Sequence, residues 1–554
     1  MSQLNGSTAA GANTGHAPRH LFISLLTMFA FGPQYVLNVS YMLNQTIIQN
    51  TFAAGSYDLL LPSVISNLAF ALCVPFGPVF SRQFGLRRSY LTLVLIFLFG
   101  SVISLVSPEM PFLTIGRLIQ GLSAGALFLT ILPVGLISFP NQVRNWFLFL
   151  AIGGLFGASS VGAFLGSLSL SMDAWRWLFM LCCLPSLLCL WVGAAVLPRN
   201  EPKEHHHPPF DRWGALILAA TVTVVLFPLV NLEKLGFGSV YVWPFFVATV
   251  ILFAIFIVVE CTVEAPLVPF RSIQSVKQAS GVVMAIASHV ALIVALMGTS
   301  GFLRNVKEAP FVPLTYFYLW FIVGVVVAAL LSTWLYDKVG AGMLGMIGSL
   351  AVILVSVQWR NIGPDTSFTT LNLQMGCVGG SIGMVLVSGA LATALAGDIH
   401  QARWRSVTLH FNRNFIAAIV VPVVAWFLYK ETTIHYENLR GQISLANPQV
   451  NMEMAGLTQH FVDSGHAMAS AKTLAFATLM MNSQKASLLN AYQDLFTMLL
   501  VSGVIMAVAS IGMAVTGKGR SLVQKEQLQR KPALAIGPIV ETPGHRPMLG
   551  VKGD

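Results

Sequence analysis

The sequence predicts an all-α membrane protein with about fourteen transmembrane helices, and three observations support this prediction. Of its 554 residues, 55% are hydrophobic and only 9% are charged. Continuous apolar runs of about twenty residues, long enough to cross a bilayer as a helix, recur along the chain. The two halves of the chain also carry similar short motifs at one constant spacing, which indicates an internal repeat.

The composition excludes an ordinary soluble protein, in which roughly a quarter of the residues carry a charge. Lipid offers the backbone no hydrogen-bond partners, so a spanning segment must be a helix or part of a closed barrel. The apolar runs are continuous rather than alternating, which favours helices. The net charge of +10 does not point to nucleic acid, because the basic residues lie in short loops and in the tail.

Hydropathy divides the chain into spans, linkers and tails. The predicted spans are 21–43, 58–80, 89–107, 111–137, 146–169, 176–197, 213–232, 240–260, 280–302, 313–335, 341–359, 371–396, 407–428 and 495–516. The predicted domains of the first half are an N-terminal tail 1–20, a six-helix bundle 21–197 and a linker 198–212. Two inserted helices in 213–260 and a second linker 261–279 follow. The second six-helix bundle 280–516 includes an outer loop 429–493 with helical patches, and the C-terminal tail 517–554 is predicted to be disordered.

The distribution of Lys and Arg predicts the orientation of the chain. An even number of spans places both termini on one side. With that side inside, twelve basic residues lie in short inner loops: Arg82, Arg87, Arg88, Arg144, Arg199, Lys203, Arg212, Arg271, Lys277, Lys338, Arg403 and Arg405. Five lie in short outer loops: Arg176, Lys234, Arg304, Lys307 and Arg360. Because basic loops stay in the cytoplasm, we expect both termini to be cytoplasmic.

An internal repeat relates the two bundles. The loop after span 2 ends in Phe84-Gly85, and the loop after span 10 ends in Val339-Gly340, an offset of 255 residues. The same offset relates Gly121 and Gly125 of span 4 to Gly376 and Gly380 of span 12. Two related halves are a recurring plan of transporters, with the substrate held between them near the middle of the membrane.

Several motifs occur in a fixed order along the chain. They are Arg117-Leu-Ile-Gln120-Gly121 in span 4, Trp175-Arg176-Trp177-Leu178-Phe179 before span 6, Phe210-Asp211-Arg212-Trp213-Gly214 before span 7, Asp337-Lys338-Val339-Gly340 after span 10 and Ala491-Tyr492-Gln493-Asp494-Leu495-Phe496 before span 14. Together they resemble the major facilitator superfamily, in particular its fourteen-span drug:proton antiporter branch (the EmrB/QacA type). The resemblance covers about residues 20–516 and implies a major facilitator fold of six, two and six helices around a central cavity that opens alternately to each side.

Three departures from the family pattern concern ion coupling. The branch usually has Leu-Asp in span 1, and this chain has Leu37-Asn38, whose amide cannot carry a proton. The first loop motif has Arg82 where the family has an acid. The span 5 motif reads Gly162-Ala-Phe-Leu-Gly166-Ser167 and lacks the family's proline. The fold assignment survives these changes, whereas proton coupling by the usual route does not follow from the resemblance.

Arg117 and Gln120 are the first candidates for coupling or gating. An arginine in the middle of a span costs roughly 2.5–3.5 kcal/mol on insertion scales, so it should face a polar cavity or a partner. Gln120 follows at i+3 on the same helical face. The alternative is a structural role for both, with hydrogen bonds to a neighbouring helix. By resemblance, Arg82, Asp337 and Lys338 are gate residues of the two loop motifs, which also contain Gly85 and Gly340.

Polar residues of span 1 predict part of a substrate path. Gln34 and Asn38 are four residues apart and share one helical stripe. They could hydrogen-bond a polar substrate, or they could join helices by amide hydrogen bonds. His289 lies in the middle of span 9 and is the candidate for proton binding near neutral pH, although a packed histidine is an alternative.

By resemblance, the chain is a secondary transporter that exports amphipathic small molecules by ion-coupled antiport, as multidrug efflux proteins do. Alternatives are a dedicated exporter of one metabolite, such as a siderophore, and a non-transporting membrane sensor or scaffold. We expect a small-molecule substrate, a proton or other coupling ion, membrane lipids and a periplasmic adaptor protein as possible partners, in a bacterial inner membrane. We expect no enzymatic activity, cofactor, metal or nucleic acid; for instance, the P-loop string G-x-x-x-x-G-K-[ST] is absent.

Overall fold

The computed structural model describes residues 19–55, 58–199, 210–397, 401–443 and 447–523, and within these ranges the regular structure is helical. Residues 1–18 of the predicted N-terminal tail, residues 524–554 of the predicted C-terminal tail and most of the predicted linker 198–212 lie outside the described residues. The expectation that the C-terminal tail is disordered falls mainly on residues 524–554, which are likewise not described.

Thirteen described helices are long and apolar enough to span a membrane, and a bent pair of shorter helices supplies the fourteenth span. Spans 1 to 7 are Arg19–Leu43, the pair Leu60–Cys73 and Phe76–Phe84, Leu86–Leu105, Met110–Ser138, Trp146–Ser171, Arg176–Val196 and Arg212–Leu235. Spans 8 to 14 are Trp243–Thr262, Val276–Asn305, Phe311–Val339, Ala341–Trp359, Phe368–Leu395, Ala402–Gln442 and Met468–Val515. The predicted number of spans is therefore confirmed.

Span 2 bends by 53° between its two helices. The break lies at Val74 and Pro75, and Pro78 follows within the second helix. A proline lacks the backbone donor of a helix and its ring clashes with the preceding turn, so it bends the chain. The second helix of the pair carries Arg82 in its last turn, so Arg82 belongs to span 2 and not to the loop in which the sequence prediction placed it.

The helices form two six-helix bundles with equivalent packing. In the first bundle span 4 packs against spans 1, 2 and 3, and span 6 packs against spans 1 and 3. In the second bundle span 12 packs against spans 9, 10 and 11, and span 14 packs against spans 9 and 11. The bundles meet through span 2 on span 13 and span 5 on span 10. Span 7 packs against spans 2, 8 and 13, and so lies at the seam between the bundles.

The glycines that the sequence repeat relates also have equivalent packing positions in the structure. A Cβ atom added at Gly121 or Gly125 would collide with the carbonyl oxygens of Ser66 and Phe70 in span 2. At the repeat-related positions, a Cβ atom on Gly376 would lie 2.9 Å from the carbonyl oxygen of Trp320 in span 10. A Cβ atom on Gly380 would likewise meet the carbonyl oxygen of Gly324. Small residues let helix backbones approach closely in a membrane, and the halves use this device at equivalent places.

The loop glycines and the span 5 glycines are also explained by backbone geometry. Gly85 has φ 83° and ψ 153°, and Gly340 has φ 85° and ψ 166°, a region that only glycine adopts readily. In span 5, Gly162 lies against the backbone of Val36 and Gly166 lies against Ser40. Span 5 therefore packs tightly on span 1 even though its motif lacks the family's proline.

Both ends of the described chain lie on one face of the molecule, which we call the terminal face. The Lys277 ammonium at the start of span 9 donates to the carbonyl oxygen of Gly517, 2.9 Å away, just beyond span 14. The His20 ring at the start of span 1 lies 5.5 Å from the Phe139 ring after span 4. The opposite face, which we call the loop face, carries the long segment between spans 13 and 14.

This long segment differs from the outer loop that the sequence predicts for residues 429–493. Span 13 continues as one helix to Gln442, a separate helix covers Pro448–Asp463, and span 14 begins at Met468 as a helix of 48 residues. A prediction from hydropathy ends a helix where polar residues begin, although the helix itself can continue beyond the membrane. The polar stretches here still have helix-forming composition and alternate buried with exposed side chains, for example Ala471, Ala475 and Leu479.

Candidate substrate cavity and coupling site

A cavity of about 570 Å³ lies between the two bundles. Spans 1 and 2 form one wall, spans 9 and 13 form the other, and Glu233 at the end of span 7 and Tyr492 of span 14 also contribute. The cavity extends to the loop face, where exposed side chains such as Thr46 and Tyr429 line its mouth. Small-molecule sites typically have volumes of about 300–1,000 Å³.

All three residues predicted for the substrate path line this cavity: Gln34, Asn38 and His289. Gln34 donates from Nε2 to the hydroxyl of Ser66 at 2.7 Å and to Oδ1 of Asn38 at 3.2 Å. The Nδ2 atom of Asn38 donates to Oδ1 of Asn67 at 2.8 Å. The Oε1 atom of Gln34 and the Nδ1 atom of His289 are buried and have no hydrogen-bond partner among the described residues. Two polar atoms of this wall are therefore left unsatisfied beneath its surface.

Arg117 is fully buried inside the first bundle and does not line the cavity. Its Nη2 atom donates to Oδ1 of Asn38, and its Nη1 atom donates to Oε1 of Gln120 at 3.0 Å. Gln120 in turn donates from Nε2 to the hydroxyl of Ser101 at 3.0 Å. The guanidinium carbon also lies 5.9 Å from the centre of the Tyr41 ring. A chain of hydrogen bonds thus connects Arg117 to the cavity through one residue, Asn38.

Contacts between the bundles close the terminal face below the cavity. The guanidinium of Arg82 lies over the ring of Trp404 at 4.8 Å, which joins the end of span 2 to span 13. Nη2 of Arg403 donates to the carbonyl oxygen of Pro78 at 3.0 Å. Asn145 before span 5 donates to the carbonyl oxygen of Thr333 in span 10 at 3.1 Å. Arg82, in place of the family's acid, therefore contacts the other half through an aromatic ring.

The second loop motif is arranged differently. The carboxylate of Asp337 accepts hydrogen bonds from the backbone N–H groups of Leu522 and Val523, at 2.8 and 3.3 Å. The ammonium of Lys338 lies 3.5 Å from the centre of the Trp334 ring. Both residues thus contact their own half of the molecule, and Asp337 fixes the segment that follows span 14.

Arg413 is a central residue that the sequence reasoning missed. An arginine this early in span 13 can be explained by a side chain that reaches the inner headgroups. Instead it is 1% exposed, and its Nη2 atom donates to the hydroxyl of Tyr35 at 2.8 Å and to Oδ1 of Asn414 at 3.1 Å. Tyr35 and Asn414 both line the cavity. The signal that singled out Arg117, a charge within a span, applies equally to Arg413.

One group of side chains near the loop face could hold a divalent cation. Glu431 and His435 on span 13 and Asp494 on span 14 bring three ligand atoms within 4.8 Å of one another. Nε2 of His435 lies 2.7 Å from Oδ2 of Asp494, and this contact alone accounts for the closeness of that pair. No local sequence pattern identifies the group, because His435 and Asp494 lie 59 residues apart on two helices.

Comparisons with known proteins agree with this architecture. Residues 21–360 match the family model of the Major Facilitator Superfamily. The uncharacterized MFS-type transporter YubD of Bacillus subtilis is 28% identical over 516 residues, which cover 92% of this chain and 91% of YubD. Multidrug resistance protein 3 of the same organism is 23% identical over 67% of this chain and 72% of its own length. Quinolone resistance protein NorB of Staphylococcus aureus is 26% identical over 45% of this chain and 53% of its own.

A solved structure is similar in fold. The human organic anion transporter MFSD10 (TETRAN) superposes with a TM-score of 0.51 at 14% identity, over 89% of this chain and all of that one. At this identity the likeness concerns the fold alone. The matched family model, the two equivalent bundles and the cavity between them lead to one conclusion: the chain is a transporter of the Major Facilitator Superfamily and is not an enzyme.

Proposed function

We propose that the protein exports amphipathic small molecules by alternating access, coupled to an ion gradient. The observation that carries the proposal is the cavity between the bundles, whose wall combines the amides of spans 1 and 2 with the aliphatic side chains of spans 9 and 13. The relatives named as multidrug and quinolone resistance proteins support the substrate class. In this mechanism the bundles rock about the cavity, so that it opens to the two faces in turn.

The orientation follows from the basic loops. With the terminal face in the cytoplasm, the inner loops carry most of the Lys and Arg residues of the short loops. The cavity then extends toward the outside, and the contacts of Arg82, Arg403 and Asn145 close the cytoplasmic side. We assign the protein to the inner membrane of a bacterium with both termini in the cytoplasm.

Arg117 and Gln120 are proposed as the coupling hub, because Asn38 relays any change at the cavity wall to them. His289 is a titratable side chain that lines the cavity and is the proposed site for a coupling proton. We propose Arg82, Asp337 and Lys338 as gate residues at the ends of spans 2 and 10 on the terminal face. A periplasmic adaptor would meet the loop face, where the extensions of spans 13 and 14 expose polar helices.

Filling the cavity tests this function. Ala425 lines the cavity in span 13, so Ala425→Trp should abolish efflux of amphipathic dyes from cells that express the protein. Val250→Trp is the matched control, because Val250 in span 8 is 68% exposed on the lipid side and should tolerate a large apolar ring. If both variants exported dyes as the wild type does, the cavity would not be the transport path.

Two alternatives are separated by the breadth of the substrate range. A dedicated exporter would protect cells against one compound in a broad susceptibility panel, whereas a multidrug exporter would protect against many unrelated amphipaths. A membrane sensor or scaffold would move no compound when reconstituted in liposomes. Two observations favour a transporter over a scaffold. They are the cavity between the bundles and the polar atoms of Gln34 and His289 in its wall that have no hydrogen-bond partner among the described residues.

A further inference from the structure

Two buried guanidinium groups lie directly behind the inner part of the cavity wall. Arg117 is 0% exposed and donates to Asn38, and Arg413 is 1% exposed and donates to Tyr35 and Asn414. Asn38, Tyr35 and Asn414 all line the cavity. Each arginine is therefore separated from the cavity by one neutral side chain, Arg117 on the side of the first bundle and Arg413 on the side of the second.

Neither guanidinium has a carboxylate partner among the described residues. The ion pairs of the described chain are His435–Asp494, Glu437–Arg440 and Glu308–Lys485, all at the loop face. Glu233 is the carboxylate among the residues that line the cavity, and it lies at the loop-face end of span 7. Buried positive charge without a counter-charge is costly in a membrane protein. The base of the cavity thus carries uncompensated positive charge.

Both guanidinium groups also retain donor capacity. The Nε atoms of Arg117 and Arg413 are buried and have no hydrogen-bond partner among the described residues. The bonds they do make are to neutral oxygens of amide and phenol groups. Such bonds are weaker than a charge-assisted bond to a carboxylate, so the electrostatic field of the two groups still acts on a ligand in the cavity.

The rest of the wall is suited to an apolar body. Spans 9 and 13 contribute aliphatic side chains, namely Leu292, Ile293, Leu296, Ala417, Ala418 and Val421. Spans 1 and 2 contribute the amides of Gln34, Asn38 and Asn67, which can donate hydrogen bonds. An amphipathic ligand can place its apolar part on spans 9 and 13 and its polar end beside Tyr35, Asn38 and Asn414.

We propose that the transported molecules are amphipathic organic anions, with a carboxylate or similar acidic group held at the base of the cavity between Arg117 and Arg413. This inference rests on the proposed export function and adds the charge of the substrate. It accounts for Asn38, because an aspartate at this position would neutralise Arg117 and repel an anion from the wall. A lipophilic cation would meet two like charges there and no acid at the base.

Two dyes with the same ring system test the charge preference. Carboxyfluorescein is an anion and a rhodamine ethyl ester is a cation, and both can be followed by fluorescence in proteoliposomes that contain the purified full-length protein. We expect uptake of carboxyfluorescein at a concentration about tenfold or more below that needed for the cation, since one buried charge contact is worth at least that factor. Thermal stabilisation of the detergent-solubilised protein should show the same preference.

Variants connect this preference to the two guanidinium groups. Arg413→Gln should reduce the apparent affinity for carboxyfluorescein about tenfold or more, and Arg413→Lys should retain part of it. Arg360→Gln is the matched control, because it removes the same charge from an exposed loop away from the cavity. Asn38→Asp is nearly isosteric and should fold. We expect this variant to bind carboxyfluorescein more weakly and to transport the rhodamine ester.

The outcomes separate this inference from the proposed function. Wild-type preference for the rhodamine ester, or an unchanged anion preference in folded Arg413→Gln and Asn38→Asp, would overturn the inference while export of amphipaths stands. If neither dye were transported nor stabilised the protein, the export function itself would be contradicted. If Arg360→Gln also lost its affinity for carboxyfluorescein, the overall charge of the protein, rather than these two groups, would decide the preference. This result would also overturn the inference.

Discussion

Arg117 and Asn38 are in direct contact across spans 4 and 1, with the guanidinium donating from Nη2 to Oδ1 of the amide. Asn38 is also the residue of this pair that lines the cavity. Because the amide is neutral, the contact fixes the arginine without cancelling its charge. A change in the ligand at Asn38 is therefore transmitted to Arg117 and, through Gln120, to Ser101 in span 3.

Arg117→Ala should abolish transport, because Asn38 and Gln120 would both lose their donor inside the first bundle. Leaving buried polar groups unsatisfied costs about 1–3 kcal/mol each, so the variant should also unfold at a lower temperature than the wild type. Arg117→Lys is the control, since it keeps the charge but not the two-armed geometry, and it should retain part of the activity. Normal dye efflux by a stable Arg117→Ala protein would show that the hub is assigned wrongly.

Gly125→Val and Gly380→Val should each destabilise the fold to a similar extent. A side chain at Gly125 would collide with the carbonyl oxygen of Phe70, and one at Gly380 would collide with that of Gly324. Separation of packed helices typically costs a few kcal/mol, as overpacking does in soluble cores. Thermal unfolding monitored by size-exclusion chromatography measures the effect.

The control for these variants is Gly157→Ala in span 5, where nothing lies within 4 Å of an added Cβ atom. It should leave the unfolding temperature close to that of the wild type. A large effect in one half and none in the other would contradict the structural equivalence of the two halves.

The fold was largely predictable, because the apolar runs identify the helices and the constant offset between the halves identifies the repeat, even where the motifs themselves differ. Gly121 and Gly376, for example, keep the same packing role in the two halves. The helical continuation of span 13 to Gln442 was not predictable from hydropathy, since a helix that leaves the membrane loses its apolar signal. A period of buried positions, as at Ala471 and Ala475, is the weaker signal that remains.

The site was predictable only in part. Polar residues on one stripe of span 1, such as Gln34 and Asn38, could be placed on the cavity wall because a single helix fixes their spacing. The partner of Arg82, Trp404, lies more than three hundred residues away in sequence, and no local pattern relates the two. The position of Arg413 depended on the depth of span 13, which shifts when a helix begins at Ala402 rather than at residue 407.

Linking spans 5 and 10 at the terminal face should stop transport reversibly. Asn145 Nδ2 lies 3.1 Å from the backbone carbonyl oxygen of Thr333, so the two residues are neighbours across the bundles, and a series of thiol cross-linkers of increasing length can be tested on the pair Asn145→Cys and Thr333→Cys. The link would hold the terminal face closed, and alternating access requires this face to open. We expect dye flux to cease on cross-linking and to return when a reducible linker is cleaved.

Each single cysteine variant, treated with the same reagent, is the control for this experiment and should transport normally. The six native cysteines are free thiols, so the background reaction must be measured on the wild type. Full transport by the doubly linked protein would mean that the bundles do not separate at this face.

Export of an anion should respond to the membrane potential even without a pH gradient. Moving one elementary charge through 100 mV is worth about 2.3 kcal/mol, which corresponds to an approximately fifty-fold gradient of a monovalent anion. With the terminal face in the cytoplasm, an inside-negative potential drives an anion outward, so the absence of an acid at Asn38 need not prevent active export. Potassium gradients with valinomycin impose the potential, and carboxyfluorescein fluorescence reports the flux.

His289→Gln separates the electrical driving force from proton coupling. If His289 carries a coupling proton, the variant should lose the response to a pH gradient but keep the response to the potential. His460→Gln, an exposed histidine in the segment of the loop face, is the control and should keep both responses. A flux of the anion that ignores the potential would require its whole charge to be compensated, by cations that leave with it or by anions that enter in exchange, and the inference of potential-driven anion export would then be wrong.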